Sequence, residues 1–402
     1  MIDGLQGAVP PMKKKRLDSL RIERFRQIKE LSIPEVGHVN LIVGGNNSGK
    51  STVLEALRFF AGRAAPTLLE ELLSLRGEFQ VVQQQKEASL LTRGSAEALR
   101  YLFFGRSFPA EDGSAIYVGN SAGDQFVRLE HVYHLGVDGE GEPSAGRRWK
   151  MASKKDDPGL WAIEAVEIRS SAYSDPWVVD LEDLFDGHSR GSRYERQVAK
   201  LPSSYVAPGF PLDPRLAEAW DDIVLTPGEQ MALKALRIIE PQTQGLAFVQ
   251  KAGPSTVRLD AIRSLSEGRV AVLKLKGMSN PIPLSSMGDG MARVLYLVLA
   301  ALQAQDGFLL IDEFENGLHH SVQSMVWEVL FSLAQTQGLQ IFATTHSNDC
   351  VRAFSQVALA NREVDGKLLK LERMPDDGRT VAATLGEDDL SNLLDAGIEV
   401  RG

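Results

Sequence analysis

Short, wholly apolar runs alternate along this chain with longer stretches whose apolar residues recur every three or four positions. "HVNLIVG" (His38–Gly44), the apolar start of "GFLLIDEFENGLHH" (Gly307–His320) and that of "LQIFATTHSNDC", ending in Thr344, Thr345 and His346, are short and rich in branched residues. They predict buried strands. "STVLEALRFF" places Val53, Leu54 and Leu57 at helical spacing, and "TPGEQMALKALRIIEP" does the same with Ala232, Leu236 and Ile239 between prolines. "PLSSMGDGMARVLYLVLAAL" opens as a small-residue turn and continues as a long apolar helix; "PTLLEELLSLRGEFQ" and "SAEALRYLFFG" also predict helices. In contrast, "AIYVGNSAGDQFVRLEHVYHLGV" and "LWAIEAVEIRSS" alternate apolar and polar positions, with Gly, Asn and Asp between the runs. That pattern predicts antiparallel strands. No stretch sustains apolar heptads, which argues against a long tethering coiled coil. "GEDDLSN" reads as a solvated turn.

The polar residues at the strand ends carry the chemistry. "GGNNSGKS" follows one buried strand and opens a helix, the context required of a P-loop. Its candidate phosphate-binding residues are Gly44, Asn46, Asn47, Ser48, Gly49, Lys50, Ser51 and Thr52. Glycines let backbone N–H groups converge on a phosphate, with the helix N-terminus favouring negative charge. Lys50 would reach the β- and γ-phosphates of ATP, and the Ser51 hydroxyl would ligate Mg²⁺. "GFLLIDEFENGLHH" ends a second strand in adjacent carboxylates: Asp312 suits the metal and Glu313 suits activation of the attacking water. A third strand ends in Thr344, Thr345 and His346, where the imidazole can stabilise charge developing during transfer. Taken singly, paired acids mark many helix starts and a lone His is commonly a capping residue; their order beside a P-loop favours function.

Composition narrows the setting. At 402 residues, with 43% apolar and 24% charged positions, the chain suits one large or two modest soluble domains. A net charge of -9 argues against indiscriminate nucleic-acid binding. The single cysteine, Cys350, excludes an intramolecular disulfide or a four-thiolate metal site, which fits a reducing cytoplasm. No apolar run approaches the ~20 residues needed to cross a bilayer, and the basic opening "MIDGLQGAVPPMKKKRLDSL" is unlike a signal peptide. Residues 1–16 are expected to be a tail, with Met1 and Met12 both open as the start. Two basic clusters, Arg190/Arg193/Arg196/Lys200 and Arg147/Arg148/Lys150/Lys154/Lys155 around Trp149, offer phosphate and base contacts, although such clusters are more often solvated. His131 and His134 fall on opposite faces of a strand and are read as structural.

These motifs, in this order, resemble the SMC, RecF and OLD group of ABC-type ATPases, most closely its OLD-like AAA branch. The resemblance covers about Leu17–Phe60 and Pro283–Phe354. It implies an α/β fold: an ABC-type P-loop ATPase head with an antiparallel β-lobe and a helical insertion. Residues 17–62 and 205–402 would form the head of a 17–402 unit, and 63–204 the insertion. "LDSLRIERFRQIKELSI" looks like the group's opening strands, which puts Arg26 near the nucleotide. "SSMGDG" resembles the ABC signature, with Ser286 and Gly288 at its Ser and second Gly. Such a loop caps the γ-phosphate held by a second protomer, implying a homodimer with ATP sandwiched between heads. His319 stands where the group commonly has Asp, and the Q-loop glutamine is unplaced among Gln80, Gln83, Gln84, Gln85 and Gln125.

The resemblance further implies a cytoplasmic ATPase subunit of a prokaryotic anti-phage or DNA-maintenance system. Too few residues follow His346 for a TOPRIM nuclease domain, so nuclease chemistry would belong to a separately encoded effector. A RecF-like repair ATPase that binds DNA is the first rival reading, and an ATP-gated scaffold with little turnover the second. The opening "RIERFRQIKEL" and the long insertion are unlike a compact transporter subunit.

Overall fold

The computed structural model describes residues 12–78, 97–137, 148–152, 162–185, 190–208, 215–250, 269–374 and 379–396. The chain opens with β1 (Leu20–Phe25) and β2 (Ile28–Ile33), then β3 (Val39–Gly44), α1 (Lys50–Ala61) and α2 (Pro66–Leu75). A 3₁₀ turn at Leu99–Leu102 leads to β4 (Ala115–Gly119), β5 (Phe126–Val137), β6 (Arg148–Ala152), β7 (Ala162–Ser170) and β8 (Trp177–Asp180). Next come α3 (Arg190–Gln197), β9 (Ser203–Val206), α4 (Arg215–Asp221), α5 (Pro227–Ile239), β10 (Thr243–Gln250), β11 (Arg269–Leu275) and β12 (Ile282–Pro283). The last part holds α6 (Asp289–Gln303), β13 (Phe308–Ile311), α7 (His320–Gln337), β14 (Gln340–Thr344), α8 (Asn348–Ala360), β15 (Gly366–Arg373), β16 (Thr380–Leu385) and α9 (Glu387–Ala396).

Three apolar runs predicted as strands, β3, β14 and β13, are neighbours in one sheet of order β16-β15-β3-β14-β13-β9. All its pairings are parallel except β15 with β16. This sheet divides two apolar cores, which explains why its strands read as unbroken apolar runs. Along β13, Leu309 and Ile311 face one core while Phe308 and Leu310 face the other; on β14, Ile341 and Ala343 oppose Phe342. Parallel pairing also brings the C-terminal ends of β3, β13 and β14 to one edge, where ligands of open α/β sheets are bound.

The alternating segments form an antiparallel sheet, β2-β1-β4-β5-β7-β8, with β6 on β5. Between the two sheets lies α1, of whose twelve residues only Ser51 is exposed. Its charged Glu55 and Arg58 are therefore paired: Glu55 with Arg26 and Arg76, Arg58 with Glu71. The antiparallel sheet crosses the expected boundary at residue 63, because β1 is in register with β4. Likewise β9 runs across residue 204 to pair with β13. Strands β10, β11 and β12 make a separate three-stranded sheet.

Three local expectations change. "SAEALRYLFFG" is helical at Glu97 and Ala98, tightens to a 3₁₀ turn at Leu99–Leu102 and ends where Phe103 becomes extended to bridge Phe25, Ser95 and Ala96 lying outside the described residues. "GEDDLSN" starts α9: its acidic first turn suits the helix dipole, and fully buried Leu390 anchors it. Within the expected tail, Lys13 bonds Asp306 at 2.6 Å, Lys15 bonds Val36 O and Asp365, and Arg16 bonds Asp306 O. These contacts dock residues 13–16 onto the loops at the foot of the parallel sheet.

Arg147, Lys154 and Lys155 lie outside the described residues, as do Gln80, Gln83, Gln84 and Gln85; Trp149 sits on β6. Arg193 and Arg196 are exposed on α3, while Lys200 pairs with Glu195. Gln125 occupies the turn between β4 and β5, its carbonyl accepting from Asn120 N–H. His131 is buried and stacks on Phe108 at 4.1 Å, a packing role.

Candidate nucleotide site

The loop after β3 is shaped by close approach and by left-handed backbone. A Cβ at Gly44 would lie 2.2 Å from Leu371 O of β15, so only glycine fits there. Asn47 (φ 61) and Gly49 (φ 104) turn the chain into α1. No side chain caps α1, and its first turn holds no acidic residue. Its first amide N–H groups are therefore available to an anion. Ser48 Oγ is buried without a hydrogen-bond partner among the described residues, as a group meant for a ligand would be. Lys50 Nζ donates to Gly44 O at 2.8 Å and Gly45 O at 2.9 Å. Burial pulls its ammonium below the usual lysine range, against the favourable charges of Asp312, Glu315 and Glu313. A polyphosphate would offset the same penalty.

Asp312, at the end of β13, collects hydroxyl groups from three parts of the chain. Ser51 Oγ donates to Oδ1 at 3.1 Å, Thr344 Oγ1 to Oδ1 at 2.5 Å, and Tyr205 OH to Oδ2 at 3.3 Å. A carboxylate beside a serine hydroxyl is a hard oxygen donor set, which fits Mg²⁺. Tyr205 is held in turn by the Arg58 guanidinium, 4.5 Å above its ring.

Glu313 has φ 48, a left-handed conformation rare outside glycine and characteristic of functional sites. Several contacts hold it there. Its N–H donates to Thr344 Oγ1 at 2.8 Å, and its carbonyl accepts from Arg293 Nη2 at 3.2 Å. Arg293, fully buried, also donates to Asp312 O and Ala207 O. Asn316 Nδ2 donates to Glu313 Oε2 at 2.6 Å, fixing the carboxylate. The acid is thus oriented from both backbone and side chain.

Gly44, Gly45, Asn46, Glu313 and His346 line one cavity of about 550 Å³. His346 is exposed to it, while its N–H donates to Glu315 Oε1 and the neighbouring Thr345 Oγ1 donates to Glu315 Oε2, both at 2.8 Å. Lys50, Ser51, Asp312, Glu313 and His346, expected to cooperate, are brought together. Three other expected residues are not. Arg26 is buried, its guanidinium taken up by Glu55, Glu78 and Leu72 O. Ser286 and Gly288 are exposed on a separate turn; Gly288 has φ 84, and nothing lies within 4 Å of where its Cβ would stand. A second cavity, of about 430 Å³ beside β9, holds no expected site residue.

Sequence reasoning missed Glu315, Asn316, Arg293 and Tyr205. The run "DEFEN" advertises a third carboxylate, and an Arg inside an apolar helix signals a buried contact. Tyr205 carries no such mark.

Domain models and known proteins are similar to parts or most of this chain. Residues 16–111 match a domain model described as "AAA ATPase domain", and residues 217–350 one described as "AAA domain, putative AbiEii toxin, Type IV TA system". An ATP/GTP phosphatase of Helicobacter pylori is 22% identical over 349 residues, covering 85% of this chain and 88% of that protein. The DNA replication and repair protein RecF of Xanthomonas axonopodis pv. citri is 24% identical over 254 residues, 60% of this chain and 59% of RecF. A solved SMC head bound to the C-terminal winged-helix domain of ScpA aligns at 14% identity and a TM-score of 0.44, covering 94% and 99% of the two chains. Among the described residues, no helix is long and apolar enough to cross a membrane. Domain matches at both ends, and a P-loop facing an acidic strand end on a shared parallel sheet, support the resemblance of this chain to P-loop ATPases of the SMC, RecF and OLD type.

Proposed function

We propose that the chain binds and hydrolyses ATP at the cavity between the P-loop, Glu313 and His346, and that two copies close around two nucleotides. The observation carrying this reading is the 3.1 Å contact between Ser51 Oγ and Asp312 Oδ1, which joins residues 261 positions apart at the mouth of an uncapped helix. In this reading the α1 amides and Lys50 hold the β- and γ-phosphates. Ser51 and Asp312 would hold Mg²⁺, which supplies charge neutralisation at the phosphates. Glu313, oriented by Asn316, accepts the proton of the water whose oxygen bonds to the γ-phosphorus as the bond to ADP breaks. His346 offsets charge on the transferring group. Ser286 and Gly288, exposed at the uncapped start of α6, serve the site of the other copy.

The test is ATP turnover by wild type and Glu313→Gln. A loss of about 10²- to 10⁴-fold with nucleotide binding retained is expected; equal rates refute the base assignment. Negligible wild-type turnover with intact ATP-dependent dimerisation would favour the scaffold reading. The resemblance to the OLD-like branch motivates a role in anti-phage defence or DNA maintenance with a separately encoded effector such as a TOPRIM nuclease, and one matched domain is described as "putative AbiEii toxin, Type IV TA system". Similarity to RecF favours a second reading, DNA repair. ATP-dependent binding of the purified protein to gapped DNA at moderate salt would select it.

A further inference from the structure

We propose that Glu315 is a positioning residue that holds the His346 loop against the phosphate cavity, locking it to the turn that carries Glu313. The proposal rests on the reading of that cavity as the ATP site. Both carboxylate oxygens are used, and both partners belong to the loop between β14 and α8. Oε2 accepts from Thr345 Oγ1 and Oε1 from His346 N–H, each at 2.8 Å. Thr345 is 1% exposed, so water cannot replace its lost acceptor. Its hydroxyl also accepts from Ser347 N–H at 3.0 Å, and Ser347 Oγ caps α8 through Cys350 N–H. Glu315 thus joins two successive residues of the crossing from β14 to α8 to another loop, beside the backbone bond from Thr345 N–H to Ile42 O at 3.2 Å.

At its other end, Glu315 belongs to the turn that shapes Glu313. Asn316 N–H donates to Glu313 O at 3.1 Å, Leu318 N–H to Glu315 O at 2.9 Å, and the Asn316 amide fixes the Glu313 carboxylate. Displacing this turn would move the acid and the histidine loop together. The chemistry requires a carboxylate, since both partners are donors. A glutamine offers one acceptor oxygen and turns an NH₂ group toward the other donor. Lys50 and Arg293 lie close enough to feel the Glu315 charge, so this part-buried acid is not left isolated.

Amide hydrogen exchange in the nucleotide-free protein tests the anchoring directly. In Glu315→Gln, and in Glu315→Asp as a shorter carboxylate in case the first variant folds poorly, the His346 amide should exchange about 10-fold faster. Amides inside β13 and β14 should keep their wild-type rates. Unchanged His346 exchange overturns the proposal, even if turnover falls, because Glu315 would then act on the chemistry itself. The functional arm is a double-mutant cycle. Glu315→Gln should lower kcat about 10-fold with KM within about twofold, and adding it to His346→Ala should cost little more. Fully additive losses would show that Glu315 does not work through His346, which overturns the proposal while leaving the ATPase reading intact. Failure of the wild type to bind ATP would instead remove that reading, and faster exchange at His346 would still report the anchor.

Discussion

Helices α1 and α6 begin alike and sit in opposite surroundings. Both start at a glycine with positive φ, 104 at Gly49 and 84 at Gly288, and neither is capped by a side chain. Around α1 the chain supplies everything an anion site needs: Lys50, an acid-free first turn, and Asp312 with its hydroxyl partners. Around α6 it supplies almost nothing; Ser286 and Gly288 face open space, and Asp289 places a negative charge in the first turn. One terminus is enclosed and equipped, the other bare. An exposed terminus without a side-chain cap is solvated by water and stays free to take an anion from outside the chain, and this motivates the two-headed arrangement proposed above.

The largest expected effect concerns how firmly α1 is braced. Arg26 ties Glu55 of α1 to Glu78 and to Leu72 O of α2, in a nearly dry setting. Arg26→Ala removes this partner from Glu78 and leaves Glu55 with Arg76 alone, and a loss of about 3 kcal/mol in stability is expected by chemical denaturation. ATP affinity of the folded fraction should stay within about threefold, since binding energy resides in the α1 amides and Lys50. A variant of normal stability that has lost ATP binding would return Arg26 to the nucleotide, as the family resemblance implied.

The next two changes separate the termini themselves. Lys50→Ala should weaken ATP binding about 100-fold, the scale of a lost charge-assisted hydrogen bond with its charge. Ser286→Ala should leave affinity within about twofold and lower turnover about 10-fold, because the α6 terminus acts on another copy's phosphate. Mixing the two impaired variants sharpens the contrast. A mixed dimer contains one site with both wild-type residues, so activity should rise above that of either variant alone. If Ser286 served its own protomer, every site would retain one defect and mixing would restore nothing.

The parts of this arrangement that were legible in the sequence are those whose chemistry is local. The P-loop lies within a strand-turn-helix of some twenty residues, and Asp312 and Glu313 follow an apolar strand directly. What brings them together is parallel pairing of β3, β14 and β13, whose unbroken apolar runs announce burial without announcing neighbours. Contacts that orient the site were hidden for the same reason. Tyr205 reaches Asp312 across 107 positions and Glu315 reaches Thr345 across 30, with no local pattern to mark either. Arg26 shows the converse failure. Its place after a strand suggested the nucleotide, while the acids that take it up lie on α1 and beyond α2. The helix that includes Glu97 and Ala98 tightens and ends at Leu99–Leu102, where the bridge from Phe103 to Phe25 takes over from helical spacing.

A third helix start lies beside the same cavity and gives the smallest expected effect. Ser347 and Asn348 line the cavity at the head of α8, so position alone would make this terminus another phosphate site. Its wiring argues otherwise. Ser347 Oγ accepts from Cys350 N–H at 3.3 Å, spending an amide that α1 leaves available, and Asp349 adds a negative charge to the first turn. Ser347→Ala should therefore cost about 1 kcal/mol of stability, the usual worth of an N-cap, with ATP affinity unchanged within about twofold. A stability loss without an affinity change marks α8 as a capped structural helix, so that cap chemistry rather than proximity distinguishes the termini. A tenfold change in affinity at constant stability would mean that α8 donates to the phosphates, and the contrast between α1 and α6 would have to be redrawn with α8 on the side of α1.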